Sequence, residues 1–425
     1  MVRTSETTDF KRVLMLTIDS DSPSCEELID LLSNLGAKVE EIVKQKREFP
    51  DSRFYLGRGK VESLVEKVER MKIDYIVVDS ELTPLQVKNL EKTLKVPVRD
   101  RTQIILDVFA RHATTKEGKL QVELAQLQYE LPRLVGEGKS LSRLGGGIGT
   151  RGPGEPKLEE KRREIRERIS ALKKQLDEIR KNREQQRKLR LDNEFATVSI
   201  VGYTNAGKSC LLAALSADPS ITASPRLFST LAPVVRRVKL PNGRIVLFKD
   251  TVGFIRKVPH SIVEAFKSTL EEIVFSNLVI LLVDASDREF SEKIKVAEEV
   301  LNELNAHQIQ RLLVFNKIDL LSEEDLQRLL DDYPSAIFIS ALKRQGLDVL
   351  LKEICRILER EEIEMELLVK LDRLHLLEKY REKITIEESV YTPGGVVVRI
   401  KARESVLKKL ATLFDGGMVE CEGQC

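Results

Sequence analysis

Tryptophan is absent from this 425-residue chain, and aromatic residues make up only 5% of it. So few rings argue against a surface that holds nucleic-acid bases mainly by stacking. Cysteine is scarce as well. Cys25, Cys210, Cys355, Cys421 and Cys425 are odd in number and mostly far apart. That excludes a disulfide-stapled secreted scaffold and fits a reducing cytoplasm. The four histidines, His112, His260, His307 and His375, are too scattered for a metal cluster. No apolar run reaches membrane-spanning length, and the opening MVRTSETTDFKR lacks the apolar core of a signal peptide. The expectation is a cytoplasmic monomer with no membrane span. Charge of one sign is also missing: the formal net charge is +2, although 32% of residues are charged. Only local clusters can therefore point to an acidic partner.

What is present is ample apolar material, 42% of the residues, in a chain long enough for two to four domains. Short β-like runs alternate with helical ones up to about residue 115: VLMLTI, AKVEEIV, YIVVD and VPV are strands, and KVESLVEKVERM and LTPLQVKNLEKTL are helices. This predicts a small parallel α/β domain over 1–115. Two heptad seams follow, Leu120, Leu124, Leu127, Leu131, Leu134 and Ile165, Ile169, Leu172, Leu176, Ile179, each stepping by 4, 3, 4, 3. They predict an antiparallel helical hairpin over 116–192, with Pro132 kinking or ending the first helix early. The loop between them, GEGKSLSRLGGGIGTRGPGEP, is glycine-rich and basic. Residues 157–190 carry 14 Lys or Arg against 7 Asp or Glu. A solvated helix face and a nucleic-acid contact both fit that excess. A second α/β unit occupies 193–360, and a small α+β domain 361–425, with a hairpin turn at Pro393-Gly394-Gly395. The fold class predicted is α/β, multidomain.

The chemistry sits in the second unit. GYTNAGKS follows a strand and opens a helix, the context of a phosphate-binding loop. Nucleotide contacts are expected from Gly202, Tyr203, Thr204, Asn205, Ala206, Gly207, Lys208, Ser209 and Cys210. Backbone N–H groups would wrap the phosphates, Lys208 would reach the β- and γ-phosphates, and Ser209 would ligate Mg²⁺. DTVG ends a later strand, placing Asp250 for Mg²⁺ and the Gly253 N–H for the γ-phosphate. NKID ends another. The Asp319 carboxylate can accept from guanine N1–H and N2–H₂, Asn316 can support the loop or bond the base, and the Lys317 stem can cover it. Ser340, Ala341 and Leu342 would offer backbone N–H groups to guanine O6. Thr230, with Ser229 as its rival, is the candidate to close over Mg²⁺. Lys208, Thr230 and Gly253 are the expected catalytic contacts. Phe254 stands where a water-orienting glutamine serves signalling GTPases, so hydrolysis needs another group, a cation or a partner.

At these residues the chain resembles the HflX family, GTPases of the Obg-like branch of translation-associated P-loop proteins. GYTNAGKS, LFSTL, DTVGFI, VPHSIVEAFKSTLEE, VDAS and NKID are similar to its G domain. More discriminating are LGRGKVESL, DRTQIILDVFARHA, KLQVELAQLQYELPRL and GGGIGTRGPGE, and YTPGGVVVRIKA resembles its C-terminal domain. The chain departs from the family at Glu155-Pro156-Lys157-Leu158-Glu159, where GETQLE is usual, and at Ala232-Pro233-Val234-Val235, where D-P-T-T is usual.

The resemblance implies binding to the large ribosomal subunit, with the loop carrying Arg143, Gly145, Gly146, Gly147 and Arg151 against ribosomal RNA. It implies splitting or rescue of stalled ribosomes, or subunit maturation. It also implies ATP at the N-terminal domain, where the Gly57-Arg58-Gly59 turn could hold a phosphate, although so short a signal is more often a plain helix start. Asn205 fits either a K⁺ ligand or a loop-stabilising asparagine. The competing class is a GTP-switched module whose heptad hairpin binds a protein partner.

Overall fold

The structure, a computed structural model, describes residues 12–18, 23–141, 154–191, 195–216, 234–251, 253–256, 271–304, 306–360, 362–414 and 418–419. The chain divides into two compact units. The first comprises Met1–Lys181, Arg226–Ala232 and Ile255–Ser268, and the second comprises Asn182–Pro225, Pro233–Phe254 and Thr269–Cys425.

In the first unit, strands β1 (Arg12–Thr17), β2 (Lys38–Lys44), β3 (Tyr75–Val78) and β4 (Val98–Asp100) form one parallel sheet in the order β2-β1-β3-β4. The apolar runs are buried, with Leu14, Leu16, Ile76 and Val78 at 0% exposure. Helix Pro84–Leu94 begins in a capping box of Thr83 and Gln86, and helix Arg101–His112 in one of Asp100 and Gln103. Residues 60–71, expected as one helix, form parts of two, Arg58–Ser63 and Val65–Met71. They are parted by a tighter turn in which Leu64 N–H donates to Val61 O at 3.0 Å. The Gly57 N–H, ahead of the first of these, donates to Gln45 Oε1 at 2.7 Å.

The hairpin consists of Lys116–Leu141 and Gly154–Leu191. Leu120, Leu124, Leu127, Leu134, Ile165 and Leu172 are buried, and the other seam residues are half-buried. Arg168 grips Glu123 with two hydrogen bonds, at 2.7 and 2.9 Å, and Lys161 bonds Glu130 at 2.9 Å. Partner numbers that rise on one helix fall on the other, so the helices are antiparallel. Pro132 does not end its helix. Residues on both sides of it are anchored: Tyr129 Oη donates to Asp100 Oδ2 at 2.7 Å, and Arg133 donates to Asp100 Oδ2 and Leu82 O, both at 2.9 Å. These bonds offset the N–H that proline lacks.

Beside Asp100 lies the second buried ionic group. Arg101, 1% exposed, bonds Asp79 Oδ1 at 2.9 Å, Glu27 Oε2 at 2.8 Å and Ser24 O at 2.9 Å. The backbone of Arg256 closes onto the same pair, its N–H donating to Glu27 at 3.3 Å and its C=O accepting from Arg101 at 3.4 Å.

The second unit contains a six-stranded sheet, in the order β10-β9-β8-β5-β7-β6. Its strands are β5 (Ala196–Gly202), β6 (Val234–Lys239), β7 (Ile245–Asp250), β8 (Leu278–Asp284), β9 (Gln310–Asn316) and β10 (Ile337–Phe338). All neighbours are parallel except β6 and β7. β6 was not expected as a strand. Val234 and Val235, which stand in place of the usual threonines, pair with Asp250 and Lys249. Strands β11 (Ile363–Val369), β12 (Thr385–Thr392), β13 (Gly395–Ala402) and β14 (Met418–Val419) form an antiparallel sheet in the order β12-β13-β11-β14. With helices Leu374–Glu378 and Glu404–Leu413 this is a split β-α-β-β-α-β unit. Arg244, in the β6–β7 turn, pairs with Glu362 and donates to Lys401 O at 2.6 Å, tying the two sheets together. No helix of the described residues is long and apolar enough to cross a membrane.

Arg101→Ala should leave Asp79, 1% exposed, without its buried cation. Removing one partner of such a pair costs about 3–5 kcal/mol. Chemical denaturation of the full chain should show the first unit unfolding at a clearly lower midpoint; an unmoved transition would mean the cluster contributes no net stability.

Candidate nucleotide-binding site

In an open parallel sheet, ligands gather beyond the carboxyl ends of the strands, where the order reverses. Here β5 has β7 on one side and β8 on the other, and the sequence motifs fall on these strand ends. β5 runs into Gly202, β7 ends at Asp250, β8 at Asp284 and β9 at Asn316, and Ser340 lies two residues past β10.

The phosphate loop from Gly202 to Ser209 is held by backbone geometry. Gly207 has φ +91°, and a Cβ there would meet Asn316 Nδ2 at 2.3 Å. Any side chain would therefore push Asn316 aside. Asn205, exposed, takes φ +64°, a conformation asparagine tolerates. Lys208 opens helix Lys208–Leu215, and only 8% of it is exposed. Its ammonium donates to Gly202 O at 3.0 Å and Tyr203 O at 2.7 Å. Burial pushes its pKa down to about 8, against the opposing pull of Asp250. Cys210 is half-buried on the same first turn.

Ser209 Oγ donates to Asp250 Oδ2 at 2.8 Å, with Asp250 1% exposed. A hydroxyl and a carboxylate this close are hard oxygen donors that fit Mg²⁺. When bound, such an ion neutralises charge on phosphate oxygens. Thr251 secures the strand end by donating to Ile200 O at 2.7 Å. Gly253 is pressed against the loop: a Cβ there would stand 2.8 Å from Lys208 Nζ and 3.0 Å from Thr204 Cγ2.

Phe254 is 8% exposed and belongs to the apolar cluster of Val201, Tyr203, Ile273 and Val279. Its N–H donates to Gly202 O at 3.0 Å, and its C=O accepts from Thr204 N–H at 2.9 Å. The residue after DTVG is thus a core side chain whose backbone is bridged to the phosphate loop.

At the base-reading end, Asn316 is 2% exposed and links two loops. Its Nδ2 donates to Ala206 O at 2.9 Å, and its Oδ1 accepts from Ala341 N–H at 2.9 Å. The Ala341 N–H, expected to face guanine O6, is held by Asn316 here. Leu342 beside it is 77% exposed. Asp319 Oδ1 accepts from Ser340 Oγ at 2.6 Å, and Ser340 Oγ accepts from Lys343 N–H at 3.1 Å. Lys317 pairs with Asp284 at 2.6 Å. Burial raises the pKa of the Cys210 thiol, and both Lys317 and Asp319 are near enough to act on it.

The structure therefore brings together Gly202 through Cys210, Asp250, Gly253, Asn316, Lys317, Asp319 and the 340–342 turn. Thr230 and Ser229 lie outside the described residues, as do Arg143, Gly145, Gly146, Gly147 and Arg151. Sequence reasoning missed Thr251 and Asp284. The strand-ending VDAS was the available signal for Asp284.

Three family models match the chain: "GTP-binding GTPase N-terminal" over residues 22–110, "GTP-binding GTPase Middle Region" over 112–190, and "50S ribosome-binding GTPase" over 197–317. GTPase HflX of Caldanaerobacter subterraneus subsp. tengcongensis is 45% identical over 405 residues, spanning 95% of this chain and 93% of that protein. GTPase HflX of Lacrimispora saccharolytica is 41% identical over 415 residues, 95% of this chain and 96% of that one. GTPase HflX of Escherichia coli (strain K12) is 39% identical over 350 residues, 82% of each. With this fold, these matches define a P-loop GTP hydrolase. The chain belongs to the HflX family of GTPases.

The depressed pKa of Lys208 fixes a sign for pH dependence. Below about pH 8 the ammonium is already charged, and nucleotide affinity should be flat. Above it the unliganded lysine is neutral and must take up a proton to meet phosphate, so affinity should fall by up to about tenfold per pH unit. Calorimetry of GDP binding at about pH 8.5, in two buffers of different ionisation heat, should register that uptake. Equal heats in both buffers would place the lysine's pKa elsewhere.

Proposed function

We propose that this GTPase binds the large ribosomal subunit and uses GTP binding and hydrolysis to act on ribosomes, by splitting or rescuing stalled ones or by maturing the subunit. The observation that carries this reading is the hairpin. Leu124, Leu127, Ile165 and Leu172 of its apolar seams are buried, so little of them is left for a further partner. Lys161, Arg163, Arg166 and Arg168 of the second helix are each paired with a glutamate, but with 14 Lys or Arg against 7 Asp or Glu over 157–190 the helix keeps a positive excess after such pairing. A protein partner recognised through the heptads would need those leucines, whereas phosphate needs the cations. The name of the model matched over 197–317, a 50S ribosome-binding GTPase, supports the same partner.

For the nucleotide site we infer these roles. Lys208 and the Gly253 N–H meet the γ-phosphate. Ser209, Asp250 and Thr230 hold Mg²⁺. Asn205 can add K⁺ beside the phosphates, and Asp319 reads guanine. Phe254 leaves no side chain to orient water, so hydrolysis is slow until a cation or the ribosome supplies the missing group. ATP at the N-terminal unit rests on family resemblance, and the Gly57 N–H that would meet a phosphate is taken by Gln45.

Asp319→Asn should shift preference from GTP to XTP, because the amide presents a donor to the xanthine carbonyl. A competition assay in which the variant still prefers GTP would remove Asp319 from base reading.

Replacing Arg143 and Arg151 with Ala should weaken large-subunit binding and lower the log–log salt slope by about 1.5 to 2. GTP hydrolysis without ribosomes should hold steady. Co-sedimentation with purified subunits across salt concentrations tests this. Unchanged affinity and slope would favour a protein partner instead.

A further inference from the structure

The strand-ending VDAS lies outside the phosphate and base motifs, yet its aspartate faces the site. β8 and β9 are parallel neighbours in register, so Asp284 sits directly across from Asn316. Ala285 N–H donates to Asn316 O at 2.8 Å, locking the two strand ends together. The Asp284 carboxylate divides its oxygens. Oδ1 accepts from Ser286 N–H at 3.0 Å and Ser286 Oγ at 2.6 Å, and Oδ2 accepts from Lys317 Nζ at 2.6 Å. Both side chains are mostly shielded, Lys317 at 24% and Asp284 at 18% exposure, so solvent screens the pair less than it would at the open surface.

Lys317 is also conformationally committed. Its φ is +65°, in the left-handed region that a lysine rarely adopts without support. Two residues on stands Asp319, its side chain only 7% exposed, with Oδ1 bonded to Ser340 and Oδ2 4.0 Å from the ammonium of the solvent-exposed Lys343. Released from Asp284, the Lys317 ammonium would add a second cation beside this shielded carboxylate and compete for the oxygens that a base must reach.

We propose that Asp284 is a positioning residue for guanine-nucleotide binding. It anchors the Lys317 ammonium at the end of β8, which fixes the lysine stem beside the base site and keeps its charge off Asp319. This rests on the reading of Asp319 as the base acceptor. The Ser286 backbone N–H, which no side-chain change removes, holds the carboxylate's other oxygen, and Asp284 itself touches no nucleotide.

A double-mutant cycle tests it. Asp284→Asn keeps an acceptor for Ser286 and removes the charge from Lys317. GTP and GDP affinity should fall about threefold to tenfold, with kcat changed less than about twofold. Lys317→Met should show a similar loss, and adding Asp284→Asn to it should cost nothing more, because both changes break one interaction. Ser286→Ala, which spares the ion pair, should bind nucleotide like the parent. The proposal is overturned if the two losses add, if Asp284→Asn binds normally, or if Ser286→Ala reproduces the loss. Failure of the base reading looks different: Asp319→Asn would not turn to XTP, whatever the cycle gives.

Discussion

A lysine ammonium lifted almost wholly out of water is the constraint around which the nucleotide end of the second unit is arranged. Lys208 keeps its charge marginally, at a pKa of about 8, because two carbonyls of its own loop and the Asp250 carboxylate stand in for lost solvent. To supply those carbonyls, the loop from Gly202 to Tyr203 must turn inward, and the residues after it must adopt uncommon backbone angles. Asn205 and Gly207 both do. Gly253 can rest on the ammonium only because it has no side chain. Asn316, from a strand more than 100 positions later, then closes the arrangement by holding Ala206 O. A phosphate arriving here would replace partial charges with a full one.

Much of this was legible in the sequence, for a physical reason. Phosphate loops, strand-ending aspartates and heptad seams are local patterns. Their residues lie within a few positions of each other, and backbone geometry dictates their type. The same holds for the parallel sheet of the first unit, whose apolar runs and helix-opening Thr83 and Asp100 are short-range signals. β6 was obscured because its valines follow the threonine segment and were read with it. The Asn242-Gly243 turn between two β-branched runs is the local hairpin signal for it.

What stayed hidden depends on side chains meeting across long separations. Nothing periodic announces that Tyr129 and Arg133 converge on Asp100, or that Arg101 bonds both Asp79 and Glu27. Those pairings explain why Pro132 interrupts a helix without ending it. They also show polar anchors joining the hairpin's first helix to the sheet at Asp100. The Asp284–Lys317 pair is hidden in the same way, since only strand register places it. That Phe254 cannot orient water follows from its residue type, but its place in the core depends on a cluster drawn from three strands, the helix Phe290–Glu303 and the segment around Ile273.

The isolated bridge between Tyr203 and Phe254, just past the ends of β5 and β7, ties the phosphate loop to the segment after DTVG. Its two hydrogen bonds, Thr204 to Phe254 and Phe254 to Gly202, share one peptide geometry and one buried ring. Moving Gly253 far from the phosphate loop would therefore have to break backbone hydrogen bonds, a cost that a segment bonded only to water would not carry.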